Sequence, residues 1–331
     1  MIINKLKSLL LILTLISSVL ISKAQQEPQY TQFMYNKLPF NAGYTGSRGV
    51  LSTRLLYRNQ WVRKIDGAPQ TIAFSIHSPF KKENNAMGMY VTNDRLGVTN
   101  QTSINITYAY RIPITDKIRL NIGLNAGMMF YKSDLTELQR IDGTDEAYYQ
   151  NVKRIVPEIG AGIYMVHPKF YVGISSPNVI KSSMLSKDQS SLLAYNTNAA
   201  HHSPHLMVMA GGVIPVTKGF KIRPQVLGKT VIDKDVKVPF TTDFNLSFLI
   251  IDRINIGGTY RTAFHKKKTG LDNYDSVDAN LEVWPTKSLM IGYAYDYSLT
   301  KLNNYNKGTH EVILGYEFYK KGDKIKTPRY F

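Results

Sequence analysis

The feature that most constrains this chain is a period of two that recurs along its length. In "NIGLNAGMMF" (121–130), Ile122, Leu124, Ala126, Met128 and Phe130 share one face; Asn121, Gly123, Asn125, Gly127 and Met129 share the other. In "SINITYAY", Ile104, Ile106, Tyr108 and Tyr110 oppose Ser103, Asn105, Thr107 and Ala109. "LMIGYAYDY" sets Leu289, Ile291, Tyr293, Tyr295 and Tyr297 against Met290, Gly292, Ala294 and Asp296. Near the C-terminus Val312, Leu314, Tyr316 and Phe318 oppose Glu311, Ile313, Gly315 and Glu317. Successive side chains of an extended strand point to opposite faces, so each segment reads as a strand with one apolar and one polar side. Met129, Met290 and Ile313 fall on the polar side and blur the pattern without reversing it. Helical spacing fits none of these segments.

Laid end to end, the strand segments are 50–58, 70–78, 86–93, 100–111, 117–131, 155–166, 169–175, 205–215, 219–231, 240–251, 253–261, 277–284, 288–297 and 309–319. Their lengths cluster near the ~9–11 residues that a tilted strand needs to cross a bilayer. The links between them alternate. "HP", "VTK", "D" and "PTK" are short, whereas 132–154, 176–204 and 262–276 are long. Bacterial outer-membrane barrels have short periplasmic turns, long outer loops and an even strand number. The parity holds over the second half and is weaker early, where "PFKKENN" falls at a periplasmic position. The expected fold is all-β: a transmembrane antiparallel β-barrel of about 14 strands, with an ordered N-terminal segment.

A soluble β-sandwich also alternates, but its polar face meets water and is dominated by Lys and Glu. Here that face is rich in Gly, Asn and Ser, which suits a crowded lumen. Tyrosine is abundant, with 22 in the chain. Tyr57, Tyr131, Tyr260, Tyr297 and Tyr319 lie near strand ends, where a headgroup-level aromatic girdle is expected.

Residues 1–24 read as a secretory signal. Lys5 and Lys7 form a basic start, 9–20 is apolar, and Ser22-Lys23-Ala24 has the small-x-small form of a cleavage site. The apolar run is shorter than the ~20 residues of a spanning helix. Cleavage after Ala24 removes Lys5, Lys7 and Lys23, so the formal charge falls from +17 to +14. An exported basic protein meets acidic lipid headgroups or an acidic protein rather than nucleic acid. The chain has no cysteine, which excludes disulfides, thiol catalysis and lipoprotein processing. No linker divides the remainder, so the expected organisation is a segment at 25–49 followed by one barrel domain with a C-terminal tail, 50–331.

The segment "QYTQFMYNKLPFNAGYTGSRG" (29–49) holds five aromatic residues, Tyr30, Phe33, Tyr35, Phe40 and Tyr44, broken by Pro39, Gly43, Gly46 and Gly49. It is too punctuated for a long strand or helix. Disordered arms are poor in aromatics, so these rings call for burial. A barrel of fourteen strands is wide enough to need filling or to leave a channel. The segment is therefore expected to be a lumen plug or a periplasmic docking element.

"PQYTQFMYN", "NAGYTGSRG", "LLYRNQWV" and "DGAPQTIAFSIHSP", with "THEVILGYEF" and "TPRYF" at the close, resemble the PorP/SprF family of type IX secretion and gliding motility. The resemblance covers essentially the whole mature chain. It departs at Asn41-Ala42-Gly43, where the family usually has Asn-Pro-Ala. It implies an outer-membrane barrel that holds the C-terminal sorting domain of a secreted, adhesin-like cargo, or that links periplasmic secretion components to that membrane. No catalysis is implied. The partner-binding candidates are Tyr30, Phe33, Tyr35, Phe40 and Tyr44, with Arg58, Trp61 and Arg63 of "RNQWVRKIDGAPQ", because aromatic and Arg side chains are common interface hot spots. Trp61 also reads as a lipid-interface tryptophan.

Rival chemistries are thin. His201, His202 and His205 have no Asp or Glu close in sequence to complete a metal site. His77, His167, His265 and His310 are scattered, with no nucleophile motif nearby. No catalytic, cofactor-binding or metal-binding residue is expected. "HKKK" (265–268) reads either as a solvated loop tip or as a contact for lipopolysaccharide phosphates. A diffusion pore or solute transporter is the alternative to an anchoring barrel, since its polar lumen looks the same in sequence.

Overall fold

The structure, a computed structural model, describes residues 30–62, 67–81, 83–137, 151–184, 201–233, 238–264, 274–300 and 307–319. The signal region, Arg63, the 265–268 charge run and the final residues lie outside the described residues. No helix among those described is long and apolar enough to cross a membrane.

Fourteen antiparallel strands close into a barrel. They are β1 Leu51–Asn59, β2 Gln70–Pro79, β3 Asn85–Leu96, β4 Thr99–Pro113, β5 Arg119–Ser133, β6 Val152–His167 and β7 Phe170–Ser176. The strand β8 is in two pieces, His205–Gly212 and Ile214–Thr217, interrupted at Val213. The rest are β9 Phe220–Val231, β10 Phe240–Ile250, β11 Ile254–Phe264, β12 Tyr274–Val283, β13 Leu289–Ser298 and β14 Thr309–Phe318. Each strand pairs with its sequence neighbour, and β14 pairs with β1 from Leu51↔Phe318 to Asn59↔His310. Closure matters because hydrocarbon offers no hydrogen bonds. A sheet in lipid must pair every backbone amide, and only a closed one does.

The alternation read from the sequence is the inside–outside pattern of the wall. Ile104, Ile106, Tyr108 and Tyr110 of β4 are exposed on the outer face. Ser103, Asn105, Thr107 and Ala109 are buried on the inner one. Met129, Met290 and Ile313 also point inward and are fully buried. The girdle needs a correction. Tyr57, Tyr260 and Tyr297 are exposed outside. Tyr131 instead packs inward against Met129, Val156 and Met184, and the Tyr319 hydroxyl donates to the buried Glu317 carboxylate.

One end of the barrel carries only short links: 80–84, 114–118, 168–169, 218–219, 251–253 and 284–288. We call it the turn end. The other, the loop end, carries 134–151 and 177–204, together with a two-residue link at Gly97 and Val98. Gly97 has φ +57, a conformation that glycine adopts without steric cost. The 177–204 link folds back: a short ladder pairs Ser182–Ser183 with His201–His202, and Met184 joins Met129 and Val156.

Two tests address this architecture. Ile106 faces outward in the middle of β4, so Ile106→Arg is expected to cost about 2–4 kcal/mol of stability at the bilayer midplane, read as a lower urea midpoint of the heat-modifiable band. Because the wild type has no thiol, single cysteines report orientation. Lys307→Cys at the loop end is expected to react with an impermeant maleimide on whole cells, and Lys117→Cys at the turn end is not.

Candidate functional site

The lumen is occupied by the chain's own N-terminal segment. Every residue from 30 to 48 is buried except the half-buried Pro39. Local chemistry explains its irregular course. The Asn41 side chain accepts from the Gly43 amide at 2.8 Å and caps a single 3₁₀ turn, Ala42–Tyr44. The Thr45 hydroxyl donates to the Ala42 carbonyl at 2.7 Å. Gly46 and Gly49 have φ of +75 and +73, which folds the chain back toward β1.

Two clusters of buried charge hold the segment at its extremities. Toward the loop end, the Glu311 carboxylate of β14 accepts from two consecutive backbone amides, Thr31 at 2.9 Å and Gln32 at 2.7 Å. The Thr31 hydroxyl donates to Asp296 at 3.1 Å. Arg58 of β1 reaches Glu311 and Asp296, both at 3.1 Å, and donates to the Thr31 hydroxyl. Arg261 extends the cluster to Asp243 at 2.7 Å, and Lys229 closes it at 3.0 Å. At the turn end, Arg48 meets Glu317 at 2.6 Å, and Arg54 meets the same carboxylate at 3.1 Å. Removing one partner from such a buried set leaves an uncompensated charge, at a cost of about 3–5 kcal/mol. The segment therefore climbs the lumen: its first described residues lie toward the loops, although the chain enters β1 at the turn end.

Between the clusters the contacts are aromatic and amide. Tyr30 meets Phe40 edge-on at 5.4 Å, and Tyr44 meets Tyr164 of β6 at 5.5 Å. The Lys37 ammonium donates to the Met34 carbonyl at 2.7 Å and lies 4.7 Å from the Tyr171 ring centre. Asn121 donates to the Gly43 carbonyl at 2.9 Å, and Ser175 to the Phe40 carbonyl at 2.7 Å. Wall glycines supply the space. A Cβ on Gly123 would lie 2.3 Å from Ala42 backbone atoms, one on Gly162 2.2 Å from Asn41 Oδ1, and one on Gly292 2.7 Å from Gln32 Oε1.

Of the residues singled out in the sequence, Tyr30, Phe33, Tyr35, Phe40 and Tyr44 come together in one core with Leu56, Met290 and Ile313. Arg58 is buried with them. All six are thus packed by the chain itself and present no free surface. Trp61 stands apart in the 60–69 link, half-buried, with φ 53. Sequence reasoning missed Glu311, Asp296 and Glu317, which lie some 260 to 280 residues from the segment they hold.

The histidine cluster also needs a correction. A carboxylate does approach it in space, since His202 Nδ1 lies 3.9 Å from Glu158 Oε1. Among the described residues, however, no three His, Asp or Glu side chains are placed to hold a metal ion.

The profile of the type IX secretion system membrane protein PorP/SprF matches residues 22–316. The chain belongs to the PorP/SprF family. With the closed barrel, this makes it an outer-membrane β-barrel of type IX secretion. No curated protein matches the sequence. Among solved structures it is similar to the Ralstonia pickettii toluene transporter TbuX, with 10% identity, TM-score 0.48, and 85% of this chain and 93% of that one covered. The CymD monoaromatic hydrocarbon channel has 10% identity and TM-score 0.48, covering 91% and 95%. The Acinetobacter baumannii outer-membrane protein Omp33 has 9% identity and TM-score 0.44, covering 82% and 100%.

The glycine wall gives a direct test. Gly123→Ala places its methyl against residues 42 and 43 and is expected to loosen the segment while the barrel remains inserted. The check is a new protease cut within residues 30–48, with the heat-modifiable band unchanged.

Proposed function

We propose that this PorP/SprF barrel is an anchor. It holds a secreted, adhesin-like cargo at the outer membrane by the cargo's C-terminal sorting domain, or ties the secretion machinery to that membrane. The observation that supports this reading over a diffusion pore is the lumen filled by residues 30–48. A solute channel needs that space, and an anchor does not. The role requires no catalysis and no cofactor. Export uses residues 1–24 as a cleaved signal peptide. The six buried candidates serve the segment's own packing, so the partner surface is assigned to the loop end around Trp61, with lipopolysaccharide contacts from 265–268.

Purified wild-type protein in a planar bilayer is expected to be electrically silent, and deletion of residues 30–40 to give steady ion conductance. In cells the same deletion removes no strand residue, so the barrel stays inserted, and surface display of the cargo is lost because residues 31 and 32 no longer brace the loop-end cluster through Glu311. A pulldown of tagged wild type from detergent-solubilised outer membrane is expected to recover a very large surface protein. Steady conductance by the wild type together with an empty pulldown supports a pore instead.

A further inference from the structure

Each of the six turns carries a basic residue exposed to solvent: Lys81, Lys117, Lys169, Lys218, Arg253 and Lys287. Because the turns join successive strand pairs around a closed barrel, these six cations form a ring on the turn-end rim. The acids described in the same turns are Glu83, Asp116 and Asp252. Two of them face strand-borne bases outside the ring: Glu83 meets Arg119 at 3.3 Å, and Asp252 meets Lys221 at 2.5 Å. The rim is therefore strongly positive, with its charge spread along the arc from β2 to β13.

A second observation selects the partner. In or beside five of the six turns an exposed apolar side chain stands within three residues of the cation: Phe80, Ile114 and Ile251 in the turns, Phe170 and Val216 at the adjoining strand ends. An apolar residue that dips into hydrocarbon, beside a cation on a flexible stem, sets that cation at headgroup height. Turns of two to five residues hold it there. A docking face for a protein would concentrate its charge on one side or at the end of a projecting element. A uniform ring bordering the apolar band follows the bilayer surface instead.

We propose that the turn-end rim is a binding ring for anionic phospholipid headgroups of the periplasmic leaflet. The proposal rests on the turn end facing the periplasm and is independent of the anchoring role. The cysteine-labelling experiment on Lys307 and Lys117 tests that orientation separately.

The test uses the full-length barrel in phosphatidylcholine bilayers, with spin-labelled phosphatidylglycerol or phosphatidylcholine as probe. Electron spin resonance resolves the motionally restricted lipid at the barrel and gives its relative association constant. Wild type is expected to prefer phosphatidylglycerol by about two- to fivefold, and to lose the preference in high salt. The variant with all six residues changed to Gln, its folding confirmed by heat-modifiable mobility, is expected to show a ratio near one. A control with Lys132→Gln, Lys153→Gln and Lys307→Gln at the loop end keeps the wild-type ratio. Should the sixfold variant fail to fold, two half-ring variants, Lys81→Gln/Lys117→Gln/Lys169→Gln and Lys218→Gln/Arg253→Gln/Lys287→Gln, are each expected to lose about half of the preference. An unchanged preference in the variants, or none in the wild type, overturns the proposal. So does an acidic periplasmic protein that binds wild type and not the variant while lipid preference is unaffected.

Discussion

Two carboxylates on the last strand, Glu311 and Glu317, each tie together the barrel seam and the segment in the lumen. Each binds an arginine of the first strand, Arg58 and Arg54 respectively, across the seam where the barrel closes. Each also binds the N-terminal segment, through the amides of Thr31 and Gln32 or through Arg48. Sealing the wall and seating the plug are thus one set of interactions. Buried ion pairs are poor sources of net stability, because desolvation offsets most of the Coulomb attraction. Their value here is geometric: Glu311 and Glu317 meet donors of both the plug and β1 only when the two are in register with β14.

That arrangement explains the composition of the inner wall. Water in an open lumen would accept any polar side chain. A protein segment in the lumen demands matched donors at fixed points, such as Asn121 and Ser175, and empty space at others, such as Gly123 and Gly162. It also demands apolar contact where the plug is apolar. Leu56, Met290 and Ile313 supply that contact, which is why they stand on the nominally polar face.

The wall was legible in the sequence because its cause is local. Each strand must show one face to lipid, and a two-residue period records that without reference to the rest of the chain. The fourteen segments and their short turns follow. The aromatic density of residues 30–44 signalled a need for burial for the same reason. What the alternation did not carry was the identity of the burial partners. Glu311 reads locally as one more polar position on a strand, and its role appears only when residues 31 and 32 are beside it. Tyr131 and Tyr319 look like interface aromatics by their place near strand ends, yet side-chain parity turns both inward. Asn41, after which the family pattern changes in the next two residues, caps the 3₁₀ turn through its side chain, a task that does not depend on a following proline.

The glycines of the wall impose a constraint on how such a protein diverges. At positions 123 and 162 the first atoms that a side chain would meet belong to the plug. A larger residue there is accommodated only if the plug recedes at the same place, and a bulkier plug only if the wall gives way. Wall and plug can therefore drift only in paired steps, so two such barrels whose outer faces have lost all likeness will still not accept each other's N-terminal segment.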